Sequence, residues 1–72
     1  MKGSEKLATS KEIGKRLKAL RGDKARKEVA DNLGISVSAV TMYENGDRIP
    51  RDEIKEKIAE YYNTTVQVIF FD

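Results

Sequence analysis

Ser38, Thr41 and Met42 recur at intervals of three and four residues, with Val37 one position ahead of them. On a helix that spacing gathers side chains onto one face. Stepping about 100° per residue, Ser38 and Met42 fall nearly opposite the apolar Val40. Thr41 and Asn45 lie beside them, and Val37 sits at the edge of the first turn. Hydroxyls, a thioether and methyl groups in this arrangement form no nucleophile. They suit hydrogen bonding and apolar contact with a ligand's edge. Lys24, Arg26, Arg48 and Arg51 flank the stretch in sequence and supply positive charge for an anionic ligand.

Covalent and metal chemistry have little to work with. The 72 residues include no cysteine and no histidine, so disulfides, thiolate ligands, the commonest metal ligand and the usual general base are all missing. Carboxylates remain, but no glycine-rich phosphate loop accompanies them and nothing assembles a nucleophile with its base. The sequence therefore predicts a non-enzyme with no cofactor, no metal site and no evident small-molecule ligand. No apolar run is long enough to span a bilayer, and the first residues lack an apolar signal core. The expectation is a soluble cytoplasmic protein with no membrane partner.

A single all-α domain is expected, a compact bundle of about five short helices. Residues 1–8 (MKGSEKLA) have no hydrophobic period and read as a flexible arm; Lys2 and Lys6 would let it reach a nucleic-acid groove, or it is simply a disordered terminus. Residues 9–72 form the domain. Thr9 and Glu12 make a capping box for a helix over about Ser10 to Arg21, with Ile13, Leu17 and Leu20 as its buried stripe. A second helix covers about Ala25 to Leu33 and buries Val29, Ala30 and Leu33. Gly34 reads as its left-handed stop and Ser36 as the cap of a third helix, about Val37 to Glu44, with Val40 and Tyr43 facing inward. Asn45 to Pro50 is a turn. A fourth helix, about Arg51 to Tyr62, buries Ile54, Ile58, Ala59 and Tyr62; the neighbouring Tyr61 reads as core packing. Asn63 ends it in the left-handed region. Val66 to Phe70 is either a fifth helix capped by Thr65 or, by β-propensity, a terminal strand.

Charge divides along the chain. Residues 1–27 hold ten Lys/Arg against three Asp/Glu, a net +7, and residues 28–72 hold four against nine, a net −5. Such asymmetry fits a polyanion-facing side; solvated helix faces would give it too. The stretch Arg26–Asn45 reads as a helix-turn-helix whose second helix enters the major groove of DNA. Arg26 would place a full charge at a helix N-terminus, where a phosphate oxygen sits. Amides near Asn45 and Gly46 and the cations Lys24, Arg48 and Arg51 are further phosphate contacts.

Val29-Ala30, Leu33-Gly34, Val40, Tyr43-Glu44-Asn45-Gly46 and Pro50 together resemble the lambda-repressor/Cro-type, or XRE-like, helix-turn-helix regulators. The resemblance covers about Ile13 to Phe70. It implies sequence-specific binding of double-stranded DNA by a small transcriptional regulator, a repressor in the simplest case. It implies base reading from Val37, Ser38 and Met42, to which the helical wheel adds Thr41. It implies a structural ion pair between Arg21 and Glu44. It also implies a homodimer through the last helix, here Val68, Ile69, Phe70 and Phe71; by residue type Ile69 and Phe70 finish the core and Val68 and Phe71 stay partly exposed as a self-association surface, or all four only seal a small core.

Two departures from the family pattern matter. Ala25 stands where a hydroxyl cap is usual, and no Gln, Arg or Asn occupies the reading positions, so bidentate base pairing is absent. That loss leaves a second reading open: a protein-interaction module on the same fold, antitoxin-like or an adaptor, with little or no DNA binding.

Overall fold

The computed structural model describes residues 6–72. Five helices follow in order: α1 (Ser10–Arg21), α2 (Arg26–Leu33), α3 (Val37–Asn45), α4 (Asp52–Tyr61) and α5 (Val66–Phe70). Local chemistry sets most of the ends. The Thr9 hydroxyl accepts from the Glu12 amide at 3.1 Å, and Ser36 does the same for Ala39 at 3.0 Å. Thr65 accepts from the Val68 amide, which settles the last segment as a helix. α2 starts at Ala25 with no side-chain cap. Gly34 closes α2 at φ 71° and Gly46 closes α3 at φ 80°, both left-handed, while Asn63 takes φ 58° after α4. These are positions where a Cβ is a burden and where Gly, or sometimes Asn, ends a helix.

The apolar faces meet in one core: Ile13 and Leu17 of α1, Val29, Ala30 and Leu33 of α2, Val40 of α3, Ile58 and Ala59 of α4, and Ile69 and Phe70 of α5. Gly14 is the point of closest approach between α1 and α3. A Cβ there would collide with the carbonyl oxygen of Glu44, so only glycine allows the two helices to meet this tightly.

Several expectations need correction. Leu20 is 37 % exposed, because the last turn of α1 rotates Arg21, not Leu20, toward α3. Tyr62 is the cap residue after α4 and is only half-buried, as is Ile54. Residues 6–8 are not free of the domain. Ala8 is buried in the core, its amide donates to the Phe70 carbonyl at 2.8 Å, and the Asp72 amide donates to the Lys6 carbonyl at 2.8 Å. Leu7 and Phe71 form an isolated antiparallel bridge. Lys6 is thus tied to the C-terminus, while Lys2 and the rest of the proposed arm lie outside the described residues. Arg16 completes the junction: one guanidinium nitrogen donates to the carbonyls of Ile69 and Phe71 at 3.0 and 3.2 Å, and the other reaches Asp72 at 2.8 Å.

Candidate nucleic-acid interface

Gly34 ends α2 with its amide on the Ala30 carbonyl, and the Ile35 amide reaches the same oxygen at 3.0 Å. The chain turns sharply there and leaves α3 with one face inward and one free. Inward stand Val40 and Glu44, each 4 % exposed. Outward, Ser38 is exposed and Val37 is 43 % exposed; Thr41 and Met42 are half-buried. The Thr41 hydroxyl donates to the Val37 carbonyl at 3.0 Å. Its proton is therefore committed, and what it offers outward is an acceptor, suited to an adenine or cytosine amino group. Ser38 keeps both capacities.

Glu44 is the only charged residue of α3, and it points away from the free face. Arg21 holds its carboxylate bidentately, Nε to Oε2 at 2.7 Å and Nη2 to Oε1 at 3.1 Å. Arg26 joins the same carboxylate through Nε at 3.1 Å. One acid therefore ties α1, α2 and α3 together. The hydrogen bond to Glu44 holds the Arg21 guanidinium above its ordinary pKa, with burial opposing. Burial first, then the nearby Glu44 charge, pushes the Tyr62 hydroxyl up to about 12.

Arg26 was expected on a phosphate. Its Nε is instead engaged with Glu44, and only its two Nη groups remain for an anion. Lys24 lies with Nζ 5.4 Å from the centre of the Tyr61 ring, a cation–π distance that draws it toward α4. Tyr61 itself packs edge-on against Tyr62, with ring centres 4.9 Å apart. The amide of Gly46 is spent on the carbonyls of Met42 and Tyr43, and that of Asp47 on Met42. The end of a helix leaves carbonyls in need of donors, and this turn supplies them, so Gly46 offers no amide to a phosphate. Asn45 retains an exposed side-chain amide. Arg48 and Arg51 are exposed, have no ion pair among the described residues, and flank an open groove with Ile35, Tyr43, Ile49 and Ile54.

With this geometry in place, a helix-turn-helix family model matches residues 13–69. The chain belongs to the Cro/C1-type, XRE-like helix-turn-helix family. It is therefore a member of a family of DNA-binding regulators. Among curated proteins none matches the chain.

Within that family frame, the expected dimer contact changes most. Ile69 and Phe70 are 1 % and 0 % exposed, because the short α5 must fill the space between α1 and α4. Only Val68, 64 % exposed, and the half-buried Phe71 reach the surface. Among the described residues no cluster of carboxylates has the arrangement to hold a metal, and no helix is long and apolar enough to cross a membrane.

Sequence reasoning missed three residues that position the site. Gly14 had a signal: it lies between Ile13 and Leu17 on the side facing α3. Arg16 had a weaker one, an acid four residues earlier at Glu12, and the structure shows that pair at 3.8 Å. The second arginine on Glu44 had none, since it depends on how closely α2 approaches α3.

Proposed function

We propose that this chain binds double-stranded DNA sequence-specifically as a homodimeric transcriptional repressor, with α3 laid in the major groove. The observation that carries this reading is the free face of α3. Val37, Ser38, Thr41 and Met42 point away from the core, while the only charge of that helix is folded inward. Val37 and Met42 suit thymine methyls, Ser38 either partner, and Thr41 an amino group. Phosphate contact comes from the Nη groups of Arg26, the side chain of Asn45, Arg48 and Arg51, with Lys24 at the margin; DNA shape supplies the remaining selectivity. Val68 and Phe71 form the contact between copies. A two-fold axis would set the two α3 helices about 34 Å apart, in successive major grooves of a near-palindromic site.

Selection from a random duplex library at two salt concentrations tests this. The expected result is an enriched palindrome whose binding weakens steeply as salt rises. Enrichment of no sequence would remove the specific regulator. A second reading, a protein-binding adaptor on the same fold, has one observation in its favour: α3 carries no basic side chain. It requires negligible duplex binding even at low salt.

A further inference from the structure

Lys11, Lys15 and Lys18 form a row on α1 that no ion pair among the described residues neutralises. All three are exposed. Spacings of four and three place them on one helix face, where like charges repel one another. The acids that might relieve them are elsewhere. Glu12, the only acid of α1, turns to Arg16, which in turn reaches Asp72 at the C-terminus. Asp52, Glu53, Glu56 and Glu60 are exposed along α4.

The row is also placed beside α3. Lys11 Nζ lies 3.5 Å from the Asn45 carbonyl, and Gly46 packs on the Lys11 Cα. Gly14 touches the backbone of Tyr43 and Glu44, and Arg21 holds the Glu44 carboxylate. Lys11, Gly14, Lys18 and Arg21 follow one another at steps of three and four, so the edge of α1 that meets α3 is bordered by the lysines. From Lys11 to Lys18 the axis advances about 10 Å, the rise of about three phosphates on one DNA strand at about 3.4 Å each.

We propose that Lys11, Lys15 and Lys18 of α1 bind the phosphate backbone of the same duplex, on the strand that borders the groove occupied by α3. The row widens the protein's footprint beyond the helix-turn-helix and its following turn. It supplies the positive charge that α3 lacks. It rests on the duplex-binding reading, and it adds affinity without sequence preference.

The test is fluorescence anisotropy on the selected duplex and on a scrambled one, across a salt series. The proteins are the wild type, Lys11→Gln/Lys15→Gln/Lys18→Gln, Lys15→Gln/Lys18→Gln and Lys57→Gln, with circular dichroism melting to confirm each fold. Each neutralised phosphate contributes about 0.9 to the slope of log affinity against log salt. The triple variant should lower that slope by about two to three and the double variant by about two, with both duplexes weakened alike. Lys57→Gln removes one exposed charge from α4 and should leave the slope unchanged. An unaltered slope in the triple and double variants, with the wild type still binding, overturns the lysine row alone. So does an equal loss per charge from Lys57→Gln, which would mean net charge and not position. If the wild type binds no duplex at low salt, the duplex reading falls and the row with it.

Discussion

Two guanidinium groups converge on the buried carboxylate of Glu44, and breaking such a cluster from one side costs far more than its net worth. Glu44→Gln leaves Arg21 and Arg26 facing a neutral amide. Removing one partner of a buried pair costs about 3–5 kcal/mol. Arg21 and Arg26 keep 18 % and 36 % of their side-chain exposure, so water recovers part of this and the loss should sit near about 3 kcal/mol. A domain of this length holds roughly 4–10 kcal/mol in all, so urea unfolding should show a much lower midpoint at unchanged slope. Next to the cluster, Tyr62 gives a pH signature. Its folded pKa of about 12 lies above the ordinary value of about 10. The neutral hydroxyl is thus favoured by folding; its contribution is complete below pH about 10 and is lost as pH climbs toward about 12. The urea midpoint of the wild type should therefore fall relative to that of Tyr62→Phe between pH 9 and pH 11. A difference that stays constant across that range would clear Tyr62 of any part in alkaline loss.

At the level of elements, α2, like α4, starts without a side-chain cap. Ala25 sits in the extended conformation of an N-cap but has no oxygen to give the first-turn amides. Ala25→Ser should raise stability by about 1 kcal/mol, seen as a higher melting temperature at unchanged helix content. For α3 the matching prediction concerns reading. Met42→Ala removes the half-buried thioether from the free face and should alter preference at a thymine-containing position in the selected site, with stability changed by less than about 1 kcal/mol; an identical binding profile would strike Met42 from the reading set. The two helices also show what a sequence discloses. Caps at Thr9, Ser36 and Thr65 and stops at Gly34 and Asn63 were legible because each is decided within four residues. So was the face of α3, since 3.6-residue periodicity fixes it. What was not legible depends on distance between elements. The amide of Gly46 was read as free until the turn used it to close α3. Arg26 was read as facing outward until α2 brought it to Glu44. Which of Val68, Ile69, Phe70 and Phe71 can meet a second copy is set by how α5 packs: Ile69 and Phe70 close the core, as their residue types lead one to expect, and only Val68 and Phe71 are left at the surface.

At the scale of the whole molecule, residues 6–8 are joined to the C-terminal residues 70–72, and that junction borders the proposed contact between copies. Leu7 bridges Phe71, Arg16 clamps the carbonyls of Ile69 and Phe71, and Lys55 stands 5.8 Å from the Phe70 and Phe71 ring centres. Val68 is the most exposed of the large apolar residues that lie at the surface, and Leu7, 38 % exposed, belongs to the same end of the molecule. In a two-fold contact one patch meets its own copy, so a single substitution is felt twice. Val68→Glu brings two carboxylates together across the axis while leaving the buried Ile69 and Phe70 untouched. The melting temperature of the isolated chain at low concentration should move little, because surface changes away from the core usually stay within about 0.5 kcal/mol. Sedimentation should shift to monomer, and affinity for a palindromic duplex should fall at least about tenfold while binding to a single half-site is unchanged, a loss of about 1.4 kcal/mol in coupling between copies. Were Val68→Glu to sediment as the wild type does and hold the palindrome equally well, Val68 and Phe71 would be excluded as the contact between copies, and with them the proposed placing of two α3 helices in successive grooves.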